Sequence, residues 1–365
     1  MRPLLFLFGL ALLPLAAACG GEGDGPSPAK TNAIVFAAGT GQALSDLFVV
    51  SADGANFRQL TSGEQVEGWP AWSPTGDRIA FLRIDARSEL LQQTPSPELS
   101  ERLGLLTIRP DGSEERALGK GAVYLAFGTS FGWSADGRRL AYSATEPAED
   151  GVKGGIFVVD GSGGEPLHLV MDPSALMPAW SPGGKEIAFM SAGEPDESGS
   201  QEVEIALVQA DGENIRQLVN RPGPDIAPAW SPDGRRIAWW GQDLEGPPNR
   251  LFVASMKEGE LIELGTGSNP VWSPDGKKLA FTDEGADGDV EVLVVDVESG
   301  ERTNLTNNPA RDMWPTWSPD GKQIAFASDR DDERGEIYVM NSDGSEVRRL
   351  TQNDLAETML AWSPR

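Results

Sequence analysis

The sequence predicts an all-β fold, a seven-bladed β-propeller in which a final strand completes the N-terminal blade, a 1+3 closure of the ring. Three observations carry that expectation. A tryptophan-led phrase recurs seven times, mostly at intervals in the forties; each copy heads the same succession of short strands; and the two ends of the repeat region hold complementary parts of one repeat. The 365-residue length alone would have favoured two or three domains.

The first element is a leader. Residues 1–18 combine one positive charge at Arg2, an apolar run from Leu4 and small residues at Ala16–Ala18, which reads as a secretory signal peptide. Pro14 interrupts the run, and it is too short for a comfortable membrane span. The segment LAAAC resembles the bacterial lipobox, in which the cysteine becomes the lipidated first residue of the mature chain. Cys19 is the only cysteine, so no intramolecular disulfide can form and the thiol is expected to carry the lipid. Residues 19–32 follow as a Gly- and Pro-rich flexible tether, and residues 33–365 as the propeller.

The repeat phrase begins at Trp72, Trp133, Trp180, Trp230, Trp272, Trp317 and Trp362, at spacings of 61, 47, 50, 42, 45 and 45 residues. Its S-P-D-G core is turn chemistry: Pro fixes φ at the second position, Asp suits the third and Gly accepts the fourth. An apolar triplet follows, such as IAF at Ile79–Phe81 or LAF at Leu279–Phe281. Next come a β-branched run such as VLVV (Val292–Val295), a second Gly turn, and a last strand with Leu near its end. Each repeat therefore holds four short strands, A to D, with the tryptophan of strand A filling space between neighbouring blades. Residues 34–61 supply B, C and D strands with no A strand before them, and the last A strand around Trp362 has nothing after it. Joining the two closes the ring and removes exposed edges.

The pattern WSPDGxxIAF…SDRDxxxEIYVMNxDGSxxRRLT, nearly word for word at residues 314–351, resembles the TolB-type, WD-like β-propeller repeat of bacterial periplasmic and surface proteins. That resemblance is specific for fold and weak for function, because one fold hosts many activities. TolB itself is expected to differ, with an additional α/β domain and six blades, so its role in the Tol–Pal system is not carried over.

Composition narrows the chemistry. Against 30 Lys and Arg stand 56 Asp and Glu, a net charge of -26, which repels nucleic acid and anionic membrane surfaces. The one histidine, His168, lies in a D-strand setting and makes no metal cluster. No nucleophile elbow, no α/β-hydrolase segment after Arg365 and no phosphate loop are expected, which separates this chain from the prolyl oligopeptidases and dipeptidyl peptidases whose propellers it resembles. Two acidic loops, Asp283–Glu291 and Ser328–Glu336, leave calcium open without matching the usual ligand spacing; no other cofactor is expected.

Strand alternation puts the A–B and C–D turns on one uniform face and the B–C and D–A loops on a variable one. The longest variable loop is in blade two, Leu82–Gly104, where SELLQQ suggests one helical turn. Five residues before the A-strand tryptophan stand Glu67, Asp225, Asp312 and Glu357; three residues before it stand Trp69, Met177, Trp314 and Met359. All eight are expected to ring an acidic, aromatic-studded mouth of the central channel. The expected function is a non-catalytic binding or scaffolding module, displayed on the bacterial envelope as an exported lipoprotein and engaging a protein partner through the variable face. A carbohydrate-binding surface protein is the alternative, and a carboxylate-dependent hydrolase or lyase the third reading. The body is expected to be monomeric and to touch the membrane only through its lipid anchor.

Overall fold

Short β-branched runs separated by glycine turns leave the chain little choice but antiparallel hairpins, and it forms them seven times over. The computed structural model describes residues 32–40, 44–85, 103–118, 122–123, 131–148, 151–192, 203–243, 246–257, 259–285 and 288–364. The leader, Cys19, most of the tether and the SELLQQ segment lie outside the described residues. The described strands form seven antiparallel sheets, six of them following chain order from strand A to strand D. Blade seven is representative: Asp312–Trp317, Gln323–Ser328, Glu336–Asn341 and Arg348–Arg349. In blade three the inner strand comes in two pieces, Ala122–Val123 and Phe131–Trp133, both paired with Arg139–Ala148.

Blade one closes the ring as its ends predict. The C-terminal strand Ala356–Trp362 pairs with Ala33–Gly39, which continues to Asp46–Ser51 and Arg58–Gln59. Ser363 fastens the junction, its amide donating to the Ala33 carbonyl at 2.8 Å and its Oγ accepting from the Ala33 amide at 3.0 Å.

The core is a ring of contacts between blades. Seven apolar clusters are present among the described residues, and each draws on two adjacent blades, the last joining blade seven to blade one. The apolar triplet explains the fit. Because strand side chains alternate, Ile324 and Phe326 pack with Ala280 of the preceding blade, while Ala325 between them packs against Ile34 and Phe36 of the next. Large side chains thus meet a small one at every blade boundary, which is how a core reaches solid-like density without strain.

The tryptophans do more than fill space. Trp72, Trp133, Trp230, Trp272 and Trp317 each donate an indole N–H to an inner-strand carbonyl of the preceding blade, at 2.9–3.2 Å. Each such bond contributes about 1 kcal/mol net. Trp362 donates instead to Asn32.

Candidate binding site at the channel mouth

The inner strands carry an irregularity that the sequence pattern hides. Trp69, Met177, Ala227, Asn269, Trp314 and Met359 all stand three residues before an A-strand tryptophan, and all have φ between 52° and 57°. At each, the pairing of strands A and B slips by a bulge. Left-handed backbone at a tryptophan or methionine is costly and persists only where surroundings impose it. In these six blades the bulge re-aims one side chain toward the axis. A proline follows in five of the six (Pro70, Pro178, Pro228, Pro270 and Pro315), suiting an edge strand that has no partner on its channel side.

These residues surround a cavity of about 630 Å³ to which all seven blades contribute. Its lining includes Trp69, Met177, Trp314, Met359, Phe131 and the bulge prolines, and contains no charged side chain. Trp69, Trp314 and Met359 are part-exposed, while Met177 is buried.

The four acids lie elsewhere. Glu67, Asp225, Asp312 and Glu357 are at most 3% exposed and are absent from the lining. In an unbroken strand, positions five and three before the tryptophan would share a face; here position three is itself the left-handed residue that opens the bulge, so the two-residue period breaks there. The acids therefore point into the blades. Glu67 accepts from the Thr61 hydroxyl of blade one and from Arg83 at 2.6 Å. Asp225 accepts from Arg221 at 2.6 Å and from Trp239 at 2.7 Å. Asp312 accepts from Asn308 at 2.6 Å and Arg330 at 3.0 Å. Glu357 accepts from Thr351, from the Ile337 amide at 3.0 Å and from Asn353 at 2.7 Å.

For Glu67 and Glu357 the geometry is that of a latch, tying the inner strand of one blade to the outer strands of the blade before. The arginines that hold the other carboxylates stack on inter-blade aromatics, Arg221 over Phe252 at 4.0 Å and Arg330 over Phe326 at 5.2 Å. Burial pushes the Glu357 carboxyl up to about 7, against three hydrogen bonds that favour its charged form. Burial also raises Glu67, while Thr61 and Arg83 pull it the other way.

The other sequence candidates resolve locally. His168 stacks on Phe157 with ring centroids 4.1 Å apart, and its Nε2 meets the Gly154 carbonyl at 3.2 Å. Contrary to expectation, the pentapeptide GTSFG at 128–132 does have the G-x-S-x-G spacing. Its last two residues enter the short strand Phe131–Trp133, where an elbow would need a strand-to-helix turn; Ser130 lies outside the described residues. In the Ser328–Glu336 loop the acids have partners of their own: Asp332 binds Arg334, Glu336 binds Arg349, and Asp331 accepts from Tyr338. Among the described residues no group of three or more His, Cys, Asp or Glu is arranged to hold a metal ion, and no helix is long and apolar enough to cross a membrane.

A closed ring of seven antiparallel blades around an uncharged apolar channel defines a β-propeller whose evident equipment is for binding. Residues 187–365 match the family model described as TolB beta propeller domain, which supports a TolB-type propeller. It is 34% identical over 118 residues to the Tol-Pal system protein TolB of Gluconobacter oxydans, a match covering 32% of this chain and 22% of that protein. It is 29% identical over 105 residues to dipeptidyl-peptidase 5 of Porphyromonas endodontalis, covering 28% of this chain and 12% of the peptidase. These matches thus span less than a quarter of either relative's length. Among solved structures, an oligogalacturonate lyase in complex with manganese is similar at a TM-score of 0.64 and 18% identity, covering 86% of both chains, a likeness of fold alone.

Proposed function

We propose that this chain is an exported, lipid-anchored and non-catalytic binding propeller that engages a protein partner across its variable-loop face. The observation that carries this reading is the channel mouth: an uncharged lining of Trp69, Met177, Trp314 and Met359 within a body of net charge -26. Such a surface suits a partner segment with an apolar anchor and basic flanks. The anchor desolvates in the channel, and the field of the body steers the approach. The acids Glu67, Asp225, Asp312 and Glu357 serve this site by fixing the inner strands that present the lining. The likeness to a Tol-Pal system protein supports an envelope setting and a protein partner. The leader and Cys19 support anchoring, and two or more acyl chains hold stably where one does not.

The test is crosslinking in native membranes, with photoreactive groups placed at the channel mouth and on the opposite face. Recovery of a protein partner from the mouth alone supports the proposal; recovery only from the opposite face sinks it. For the anchor, wild type should partition into detergent and Cys19→Ser into the aqueous phase. Equal aqueous partitioning of both after export would rule lipidation out.

A further inference from the structure

Blade six departs from the repeat at two positions, and both departures open onto one cleft. Five residues before its tryptophan, where blades one, two, five and seven carry a buried acid, stands Gly267. A Cβ there would lie 2.5 Å from the Phe281 ring, so the position excludes any side chain. Three residues before the tryptophan stands Asn269, the one polar residue among the six described at that place, and it is exposed. Tryptophan, methionine and alanine hold the same left-handed φ in the other blades, so the backbone does not demand asparagine here.

The cleft lies on the variable face over blade six, walled by blades five and seven, with a volume of about 650 Å³. That is within the usual range for small-ligand sites. Gln242 and Asn249 come from blade five, Asn269, Asp283 and Glu284 from blade six, and Trp314 from blade seven. Several of its polar groups are held in place by the protein, while Asn269 and Glu284 are exposed. Gln242 Nε2 donates to Asn249 Oδ1 at 2.7 Å, leaving one carboxamide oxygen and one carboxamide nitrogen of the pair to meet a ligand. Asp283 accepts from Thr266 at 2.7 Å and from Arg302 at 2.8 Å, so its charge is matched. Ser268 and Thr282 face each other at 3.2 Å.

The lining offers donors and acceptors in nearly equal supply beside a part-exposed indole, and it includes no lysine or arginine. Fixed, mixed donors and acceptors match hydroxyl groups, which also do both, and an aromatic wall suits the apolar face of a pyranose. The lack of lining cations argues against phosphates and uronates, and Glu284 adds attraction for an ammonium. We propose that this cleft binds a neutral or amino-bearing sugar residue, oriented by Gln242, Asn249, Asn269 and Glu284 and packed against Trp314. The cleft adjoins the channel, with which it shares Asn269 and Trp314.

The full-length chain is titrated calorimetrically with three probes: N-acetylglucosamine oligomers, glucosamine oligomers and galacturonate oligomers. Saturable binding is expected for the first two and none for the third. Gln242→Ala should weaken both by about tenfold, the scale of a lost hydrogen bond or two. Glu284→Gln should weaken glucosamine oligomers more than N-acetylglucosamine oligomers. Unchanged melting temperatures certify the fold of each variant. Trp69→Ala, which touches the channel and not the cleft, should leave sugar binding intact while weakening any protein partner, so the two sites fail separately. Absence of binding to all three probes overturns the proposal, as does equal binding of the galacturonate oligomers. Binding that survives the double variant Gln242→Ala/Glu284→Gln also overturns it.

Discussion

The two faces of this propeller are built from the same strands and obey different rules. On the turn face, blade after blade repeats one hydrogen-bonded unit. The serine Oγ after the tryptophan donates to the turn aspartate and accepts the amide five residues on, as Ser273 does with Asp275 and Lys278 at 2.6 and 2.9 Å. Ser231 and Ser318 repeat the arrangement within a few tenths of an ångström. The serine hydrogen bonds at Asp136 and Asp275 hold those carboxyls below their ordinary range. On the loop face the backbone repeats more faithfully than the side chain it presents. The left-handed bulge recurs, while its side chain changes from Trp to Met to Ala to Asn. Uniform geometry with uniform residues is a construction device; uniform geometry with varied residues is a scaffold that presents differences.

That contrast can be attacked first at the seam where both faces depend on ring closure. Deleting 357–365 strips blade one of its inner strand and removes Leu360 and Trp362 from the cluster shared with blade seven. The expected loss exceeds about 5 kcal/mol, beyond what single substitutions do, and leaves an exposed strand edge. A truncated protein that melts with the parent would refute the closure.

A gentler break at the same seam is pH. Glu357 sits on the closing strand with its carboxyl raised to about 7 from 4.5. The folded state therefore holds a proton that the unfolded chain releases above pH 4.5. Stability from this group is full below pH 4.5 and is lost as pH rises through 7, by at most about 3 kcal/mol. Denaturant midpoints of wild type and Glu357→Gln, measured from pH 4.5 to 8, should diverge with wild type falling faster. Parallel curves would show that the site does not titrate in this window.

Removing Trp69 and Trp314 together should cost a partner roughly 2 kcal/mol, the scale of an interface hot spot, and mainly speed its dissociation. Partner dissociation is read by surface plasmon resonance once crosslinking has identified the partner. An unchanged off-rate would take the anchor out of the channel.

The smallest effects belong to the turn face. Gly276 has φ of 69°, and a Cβ there would meet only Pro232 Cδ, at 3.5 Å. Gly276→Ala should therefore cost about 1–2 kcal/mol from the left-handed backbone alone, with partner binding unchanged. Lys277→Ala and Lys322→Ala, exposed on the same face, should shift stability by less than about 0.5 kcal/mol. If these two weaken the partner while the mouth variants do not, the working face has been misassigned.

Much of this was open to a reader of the sequence. The seven tryptophans, the glycine turns and the unmatched B-C-D start with its lone A-strand end give blade count and closure, because each is a local signal repeated in register. The size order of the apolar triplet was also in plain sight at Ile324–Phe326, though its meaning as a blade-to-blade fit needed the neighbouring alanine to be placed. The channel residues Trp69, Met177, Trp314 and Met359 stand at a fixed count before the tryptophan, legible in the sequence. The acids stand at a fixed count too, yet that count does not set their direction. Two residues along a strand return to the same face only while the strand stays regular, and here the second residue is itself left-handed; Trp, Met, Ala and Asn all occupy it, and the proline that follows in five of six blades is the trace it leaves in the sequence.

Sequence alone thus determined the periodic part of the protein: strand order, turn chemistry, the number of blades and the way the ring shuts. Those depend on contacts close along the chain, or on a repeat that copies one contact seven times. The tertiary structure alone decided which side chains meet. It buried Glu67, Asp225, Asp312 and Glu357 inside the blades, left the channel without charge, and gathered Gln242, Asn269 and Trp314 from three blades into one cleft. The physical reason is a left-handed residue in the inner strand of each of the six blades described there: the residue type at that position does not announce it, and it breaks the alternation that would have set both positions on one side of the strand.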